Sequence, residues 1–152
     1  MTQVDTPAKS APEIRHVDAE SEVAACYELM RQLRPHLASE LELIERWRRQ
    51  ADVGYRLLAI WDGPKPVALA GYRVQDNLRH GPHLYVDDLV TDEALRSCGH
   101  GHALMERLKA EARMLGCAKL ILDTPLTNTL GHRFYYREGL LATALRFNVS
   151  LV

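Results

Sequence analysis

The residues best suited to chemistry lie at positions 85–103, where an apolar strand gives way to a glycine-rich loop and then to a helix. The loop contains an R-x-x-G-x-G pattern that begins at Arg96 and ends at Gly101. Glycine lets the backbone adopt positive φ angles and approach a ligand closely. The first amides of a helix lack an internal acceptor and carry the positive end of the helix dipole. Because the first turn of this helix holds no acidic residue, the pattern predicts a phosphate site.

Two other interpretations of these glycines compete with a phosphate site. Gly99 and Gly101 fit tight packing between a helix and a strand equally well, since a lone glycine-rich turn is a weak signal. A Rossmann fingerprint fits less well, because eight residues separate Val90 from Gly99 and Leu104 stands where the third glycine belongs. A P-loop is excluded by the absence of its Gly-Lys-Ser/Thr ending.

Helices and strands must position this loop. Hydrophobic periodicity, together with capping and turn residues, predicts them in the order βααβββαβαβ. The predicted helices are 18–33, ended by Pro35, then 39–50, 100–115 and 128–137. The predicted strands are 13–17, 55–61, 66–74, 84–90, 119–123 and 141–152, the last as one long strand or a pair. This order predicts an α/β or α+β fold with a mixed sheet flanked by helices.

Length and composition predict one soluble globular domain. The chain has 152 residues, 47% of them hydrophobic and 26% charged, which suits a single domain at 13–152 after a flexible tail at 1–12. A net charge of -1 argues against a nucleic-acid or anionic-membrane partner. No apolar stretch approaches the roughly 20 residues of a membrane span.

The cysteines and the N-terminus indicate a cytoplasmic protein. The chain has three cysteines, an odd number, and none of them has CxxC spacing: Cys26, Cys98 and Cys117. We therefore expect free thiols rather than disulfides or a zinc site. The first residues lack the apolar region of a secretory signal. The histidine pairs also lack further ligands at suitable spacing, so no metal site is predicted.

Two motifs together resemble the GNAT superfamily of acyl-CoA-dependent N-acyltransferases. The superfamily's Q/R-x-x-G-x-G/A motif, which follows a strand rich in Leu and Val, is similar to Leu89-Val90 followed by residues 96–101. Its later motif, an Asn seven residues before a Tyr and closed by Gly and an apolar residue, is similar to Asn128, Tyr135 and Gly139-Leu140. The order and separation of the two motifs both match.

The resemblance implies a GNAT-like fold, a mixed and mostly antiparallel central sheet flanked by helices. It also implies an N-acetyltransferase that transfers an acetyl group from acetyl-CoA to a primary amine of a small molecule or a peptide. Leu89 and Val90 would then present backbone groups to the pantetheine arm. The other cofactor-binding positions that the resemblance implies are Arg96, Ser97, Cys98, Gly99, His100, Gly101, His102 and Asn128. Departures from the usual pattern at Ser97, Cys98, His100 and Leu140 remove no backbone donor.

By the same resemblance the amine attacks the thioester directly, with a base and an acid handling protons. Tyr135 is the expected acid, with Tyr136 as the alternative. Asp88 is the expected base, and Asp87 should lie on the opposite face because strand side chains alternate. A carboxylate paired with Arg73 or Arg79 is the competing interpretation of Asp88, and a water chain can replace a base.

The acceptor and the assembly are less well determined by the sequence. The resemblance places the acceptor side at residues 33–40 and 73–83, where Tyr72, Arg73, His80 and His83 are candidate lining residues. A long strand at 141–152 could pair in a homodimer if it forms a sheet edge. A non-catalytic acyl-CoA sensor or partner-binding module with the same fold is the alternative function, and a nucleotide-binding regulator is a third.

Overall fold

A computed structural model describes residues 12–152 and contains a five-stranded sheet flanked by helices. Most of the predicted tail at 1–12 lies outside the described residues. The strands are β1 (Glu13–His16), β2 (Arg56–Asp62), β3 (Lys65–Asn77), β4 (Gly81–Thr91) and β5 (Lys119–Leu122). The helices are α1 (Glu20–Ala25), α2 (Tyr27–Leu33), α3 (Glu40–Ala51), α4 (His100–Met114) and α5 (Thr129–Arg137), with a single 3-10 turn at Glu93–Leu95.

The sheet order is β1-β2-β3-β4-β5, antiparallel throughout except for the parallel pair β4–β5. The expected mixed, mostly antiparallel sheet is therefore confirmed. Strand β2, in the interior of the sheet, is buried on both faces, as its run of consecutive apolar residues predicts. One face packs against α1, α2 and α3 through residues such as Leu57 and Leu69, and the other packs against α4 through Leu58 and Leu104.

Strands β4 and β5 separate along their length. They pair only from His83 with Lys119 to Val86 with Leu122, whereas β4 continues to Thr91 and stays paired with β3. The edge of β4 that faces β5 therefore has no strand beside it from Asp87 onward within the described residues. This separation leaves the last five residues of β4, which lead to the glycine-rich loop, paired on one side only.

Two details of the N-terminal helices differ from prediction. The first predicted helix is two helices, α1 and α2, separated at Cys26, whose φ of -82° and ψ of -8° end the regular α-helical geometry. Helix α1 also begins after Ala19, which offers no side-chain cap, rather than at an Asp18 cap. Helix α3 begins as predicted, because the Ser39 side chain accepts from the amide of Glu42 at 3.1 Å.

The predicted strand at 141–152 is wrong for the isolated chain. Residues 141–152 are exposed and have neither helix nor strand structure, although their apolar residues alternate. Alternation shows that a segment suits a sheet, but a strand also requires a neighbour to accept its backbone hydrogen bonds. None of the described elements supplies that neighbour. The described helices are also all too short or too polar to cross a membrane.

Candidate active site

The glycine-rich loop is fixed to the fold by Gln32 and Asp92. The Asp92 carboxylate accepts from the amide of Ala94 at 3.1 Å, and this hydrogen bond is the main reason that the pKa of Asp92 lies below its usual value. Gln32 on α2 accepts from the amide of Glu93 at 3.0 Å and donates to Asp92 at 3.4 Å. The end of β4, the 3-10 turn and α2 are therefore held together, which positions the start of α4.

The start of α4 presents backbone amides without acceptors. Ser97 and Gly99 adopt positive φ angles of 69° and 81°, and Gly99 is the N-cap residue. The first amide of the helix that meets a backbone carbonyl is that of Ala103, which donates to Gly99 at 3.0 Å. The preceding amides of the first turn have no backbone acceptor within the described residues, and no acidic residue shares that turn. An exposed helix start of this kind is suited to binding an anionic group.

Two side chains of the loop are engaged elsewhere. Arg96 is exposed and lies 3.9 Å from a carboxylate oxygen of Glu93. His102 Nδ1 lies 2.8 Å from Oε2 of Glu138, at the end of α5. The side chains of both residues are therefore positioned by carboxylates, while their backbone amides stay in the loop. The exposed Ser97 and Cys98 side chains lie beside them.

Helix α5 packs directly on the loop. A Cβ atom on Gly101 would lie 3.1 Å from Cζ of Phe134, so the small side chain at position 101 permits the close approach of α5. Lys109 adds a second connection, because its ammonium group donates to the backbone oxygen of Glu138 at 2.9 Å. The close packing at Gly101 is thus against helix α5 and not against a strand, as the packing interpretation has it, and a Cβ atom on Gly99 would meet no described atom within 4 Å.

Asn128 forms the N-cap of α5. Its side-chain oxygen accepts from the amide of Gly131 at 3.2 Å, and its amide nitrogen donates to Thr124 at 3.0 Å. A Cβ atom on Gly131 would lie 2.3 Å from the Asn128 side chain, so the cap requires glycine there. This pair of residues fixes the direction of α5 and therefore the position of Tyr135.

Tyr135 and Tyr136 have different surroundings. Tyr135 is partly buried, with its ring 5.4 Å from that of Phe134, and burial raises its pKa above the usual value of 10.0. Its hydroxyl has no hydrogen-bond partner within the described part of the chain. Tyr136 is 58% exposed. Tyr135 is therefore the more sheltered of the two tyrosines of this helix.

Leu89 and Val90 lie on the unpaired stretch of β4. Leu89 packs towards the α4 face of the sheet and Val90 towards the α1–α3 face, so the two side chains anchor the strand on opposite sides. Their backbone lies where β5 no longer pairs with β4. This part of β4 is suited to hydrogen bonding with an extended ligand.

A β-bulge changes the expected arrangement of the two aspartates. Gly71 pairs with Asp88 and Tyr72 pairs with Val86, which leaves Asp87 as an extra residue on β4. The bulge brings both carboxylates to the same helix-covered face, so the expectation that they lie on opposite faces is wrong. A bulge breaks the two-residue period locally, and the sequence pattern does not reveal where one occurs.

The two carboxylates are engaged to different degrees. Asp88 accepts from Arg34 Nε at 2.9 Å through one oxygen and from the Tyr55 hydroxyl at 2.8 Å through the other. Asp87 accepts from Arg73 Nε at 3.0 Å through Oδ2, and no described residue donates to its Oδ1. The pKa of Asp87 lies above its usual value of 3.8, mainly because the carboxyl group is partly buried.

Sequence reasoning missed two partners of this acidic pair and placed others wrongly. Arg34 and Tyr55 lie 54 and 33 positions from Asp88, and no local pattern signals contacts at such separations. Tyr72 does not line this side, because it is buried and hydrogen-bonded to His16 at 2.8 Å. His83 is also buried, with Nδ1 2.8 Å from the Gly81 carbonyl oxygen. Arg73 lies beside the acidic pair but contacts Asp87, whereas the arginine paired with Asp88 is Arg34 and neither Arg73 nor Arg79.

One further cluster joins α4 and α5. Ligand-type atoms of His102, Glu106 and Glu138 lie within 4.8 Å of one another. His102 already contacts Glu138, and Lys109 contacts Glu106 at 3.0 Å. These contacts account for the cluster as a connection between the two helices.

Comparison with known proteins agrees with this geometry. The Acetyltransferase (GNAT) family model matches residues 21–140. The chain is 30% identical over 122 residues to the Uncharacterized N-acetyltransferase YhdJ of Bacillus subtilis, covering 80% of this chain and 86% of that protein. It is 29% identical over 129 residues to the glucosamine 6-phosphate N-acetyltransferase of Trypanosoma brucei brucei, covering 78% and 88%.

Solved structures share the fold. An aminoglycoside N-acetyltransferase, AAC(6')-Iy, in complex with CoA superposes with a TM-score of 0.82 at 17% identity and covers 96% of this chain and 99% of its own. An acetyltransferase from Trypanosoma brucei gives a TM-score of 0.78 at 25% identity, with coverage of 93% and 100%. The glycine-rich loop, the separated strands and these matches lead to one conclusion: the chain belongs to the GNAT family and is an N-acetyltransferase.

Proposed function

We propose that this enzyme transfers the acetyl group of acetyl-CoA to a primary amine, and that the free amides at the start of α4 bind the cofactor diphosphate. The observation that carries the proposal is the first turn of α4, where successive amides find no acceptor among residues 12–152 and no acidic side chain shares the turn. A bound diphosphate would receive these hydrogen bonds and the favourable field of the helix dipole. The CoA-bound neighbour of the same fold supports this choice of cofactor.

The backbone of Leu89 and Val90 would hold the pantetheine arm. Beyond Val86 no strand of residues 12–152 lies beside the edge of β4 that faces β5, so the backbone groups of that edge are available to an extended ligand. Pairing with the arm would replace the missing strand and direct the thioester towards the bulge at Asp87. Acetyl-CoA supplies an activated acetyl group, and the protein supplies its orientation relative to the amine.

Tyr135 would act as the acid. Burial raises its pKa, so the hydroxyl keeps its proton at neutral pH and can donate it to a sulfur that gains negative charge. The hydroxyl is not committed to any other described residue. Asn128 and Gly131 contribute indirectly, because they set the direction of the helix that carries Tyr135.

The acidic pair Asp87–Asp88 would remove the proton of the amine. Asp88 uses both oxygens for Arg34 and Tyr55, whereas Oδ1 of Asp87 is free of protein donors within the described residues. A carboxylate with a free oxygen and a raised pKa is the better proton acceptor. We therefore assign the base to Asp87 and give Asp88, the residue that the resemblance favours, the role of holding Arg34 and Tyr55 in position.

We propose a small amine, with amino sugars as the leading class, as the acceptor. Two relatives are named for glucosamine 6-phosphate and for aminoglycosides, both of which are amino sugars. The acidic pair and its arginines offer a polar surface that suits such a ligand.

We also propose a single domain at 13–152 that works in the cytoplasm. The cysteines Cys26 and Cys117 are free thiols, as is usual for proteins of that reducing compartment.

The proposal is tested with the purified protein, acetyl-CoA and a panel of amines, by mass spectrometry of the products. Product mass is preferable to a thiol reagent because Cys98 is exposed and would react. The panel includes glucosamine 6-phosphate, an aminoglycoside and a lysine peptide. Acetylation of an amino sugar supports the proposal, and acetylation of the peptide alone overturns the acceptor class. Binding of acetyl-CoA without any product would favour the non-catalytic sensor.

A further inference from the structure

One residue at the end of α3 contacts a partner of each carboxylate in the acidic pair. Gln50 accepts from Nη2 of Arg73 at 2.9 Å through its side-chain oxygen. Its backbone oxygen accepts from the amide of Tyr55 at 3.0 Å. Arg73 in turn donates to Asp87, and Tyr55 donates to Asp88. The end of α3 is therefore linked to both carboxylates through Gln50.

The guanidinium of Arg73 is held by three groups. Its Nε donates to Oδ2 of Asp87 at 3.0 Å, and its Nη2 donates to Gln50. Its central carbon lies 5.5 Å from the centre of the Tyr55 ring. Only 19% of the Arg73 side chain is exposed. Because a guanidinium is rigid and planar, the contact with Gln50 also fixes the direction of the Nε–H bond. Arg73 is therefore oriented towards one particular oxygen of Asp87.

Arg34 fixes the backbone at the bulge. Its Nη2 donates to the backbone oxygen of Asp87 at 2.8 Å, while its Nε donates to the carboxylate of Asp88 at 2.9 Å. With the backbone of Asp87 held in this way, its carboxylate can still turn about the side-chain bonds. The bond from Arg73 to Oδ2 is the one hydrogen bond that a residue of 12–152 donates to this carboxylate, and it opposes that rotation. It leaves Oδ1 without a protein donor, as the acceptor of a proton requires.

The groups that face the Asp87 carboxylate differ in charge. Three are charged, and they lie on β3, after α2 and on β4 itself: Arg73, Arg34 and Asp88. Two are tyrosines without charge at neutral pH, since burial is the main cause that raises the pKa of each above 10.0: Tyr55 and Tyr85. Burial raises the pKa of Asp87, and the hydrogen bond from Arg73 is the largest opposing effect. Arg73 is therefore the neighbour whose loss should change the proton affinity of Asp87 most.

We propose that Arg73 is a positioning residue for the proton acceptor Asp87, and that Gln50 holds Arg73 in the orientation this role requires. The inference deepens the proposed acetyl transfer and rests on the assignment of Asp87 as the base. In that step an N–H bond of the amine breaks as the nitrogen attacks the thioester carbon, and the proton bonds to Oδ1 of Asp87. The carbon–sulfur bond breaks with its electrons on the sulfur, which Tyr135 protonates. Arg73 stays charged throughout, since a guanidinium does not release a proton in a protein.

Kinetics of three variants test the two residues. Arg73→Gln removes the charge, and Arg73→Lys keeps a charge but lacks the planar fork. Gln50→Leu removes the side-chain acceptor and keeps the backbone contact with Tyr55. All three should lower kcat by up to about 10²-fold, the loss that misplacement of a reacting group by about 1 Å can cause, with little change in the KM for acetyl-CoA. The control Arg49→Gln removes a charge from an exposed position beside Gln50 and should leave kcat unchanged.

The dependence of the rate on pH separates positioning from a contribution to stability alone. The rate should fall on the acidic side as Asp87 is protonated. This acidic limb should move to higher pH in Arg73→Gln, because loss of the cation raises the pKa of Asp87 further, and should stay near its wild-type position in Arg73→Lys. Carbon-13 NMR of labelled aspartate carboxyl groups should show the same order of Asp87 pKa values without substrate. Variants that lose stability in urea but keep the wild-type kcat and acidic limb would overturn the proposal.

Asp87→Asn distinguishes failure of this inference from failure of the proposed function. Rates are measured with acetyl-CoA and whichever of glucosamine 6-phosphate, the aminoglycoside and the lysine peptide is acetylated. If Asp87→Asn loses the rate while the Arg73 and Gln50 variants keep it, the inference is wrong and the base assignment stands. If Asp87→Asn keeps the wild-type rate, the base assignment fails, and if no amine is acetylated, the proposed function fails. The inference fails in both of those cases.

Discussion

The hydroxyl of Tyr55 donates a 2.8 Å hydrogen bond to Oδ2 of Asp88, and this contact exists because residue 71 is glycine. A Cβ atom on Gly71 would lie 2.0 Å from the Tyr55 hydroxyl oxygen. Gly71 is also the β3 residue that pairs with Asp88, so the three residues form one unit at the bulge.

Replacement of Gly71 by alanine should displace Tyr55 and lower the stability of the protein. Overpacking of a buried site typically costs about 1–3 kcal/mol, and we expect a free energy of unfolding reduced by this amount. Urea unfolding of the wild type and Gly71→Ala measures the difference. An unchanged unfolding midpoint would show that Tyr55 moves aside without cost and that the contact with Asp88 is dispensable.

The two aspartates should respond differently to neutralisation. Asp87→Asn should lower kcat by about 10²–10⁴-fold, the usual contribution of a general base, with little effect on acetyl-CoA affinity. Because burial raises the pKa of Asp87, the wild-type rate should fall on the acidic side at a pH above 3.8, as the carboxylate becomes protonated. This acidic limb should disappear in Asp87→Asn.

Asp88→Asn is the matched variant. It removes the charge that faces Arg34 and weakens the acceptor for Tyr55, so we expect a stability loss of about 1–3 kcal/mol with the acidic limb of the rate profile retained. If Asp88→Asn removes the limb while Asp87→Asn retains it, the roles of the two residues are reversed. Rate profiles against pH, measured for both variants and the wild type, decide the assignment.

A negative charge at the start of α4 should increase the stability of the fold and reduce the affinity for the cofactor. His100→Glu places a carboxylate in the first turn, where the helix dipole should stabilise the fold by about 0.3–1 kcal/mol. The same carboxylate should repel the cofactor diphosphate and weaken acetyl-CoA binding. His100→Gln carries no charge and should change neither quantity appreciably. A His100→Glu protein that binds acetyl-CoA as tightly as the wild type would exclude this loop as the diphosphate site.

Tyr135→Phe should affect the chemical step more than binding. Loss of a general acid costs on the order of 10²-fold or more in kcat, whereas the phenyl ring keeps the packing against Phe134. Tyr136→Phe is the control, because Tyr136 is exposed and should tolerate the change. Kinetics and calorimetric titration with acetyl-CoA give the two quantities. Equal losses of kcat and affinity in Tyr135→Phe would assign a structural role to the hydroxyl.

Protein stability should decrease on mild acidification because of His16. Burial, followed by the nearby charge of Arg56, lowers the pKa of His16 below 6.5, so the folded state binds a proton less readily than the unfolded state. The free energy of unfolding should therefore fall as the pH drops below about 6.5 towards the folded-state pKa, and this contribution should be constant above that range. Chemical unfolding at several pH values measures the slope, which should be smaller in His16→Gln. Equal slopes in the wild type and His16→Gln would show that His16 does not contribute to the pH dependence of stability.

The sequence predicts the local structure of the glycine-rich loop and of the start of α5 well. The helix start at Gly99 and the N-cap Asn128 depend on local features, namely glycine conformation and side-chain capping, and the structure has both where the motifs indicate. Family membership and the mixed, mostly antiparallel sheet are confirmed as well. The cofactor contacts themselves stay predictions.

The acceptor half was less predictable, because its contacts are not local. The bulge at Asp87 changes which face a side chain occupies, and nothing in the alternation of β4 indicates it. Arg34 and Tyr55 reach Asp88 from distant parts of the chain. The predicted strand at 141–152 failed for a related reason, since its pattern is that of a strand but its neighbour is absent from the single described chain.

The most direct test of the account is a thermal-shift titration with acetyl-CoA and CoA, with NAD as the control ligand, on the wild type and His100→Glu. A ligand at 100 times its dissociation constant should stabilise the fold by about 2.7 kcal/mol, which raises the Tm visibly. The account predicts that acetyl-CoA and CoA raise the Tm of the wild type, that NAD does not, and that His100→Glu loses most of the response. No response of the wild type to acetyl-CoA, or an equal response of both proteins, would contradict a diphosphate site at the start of α4.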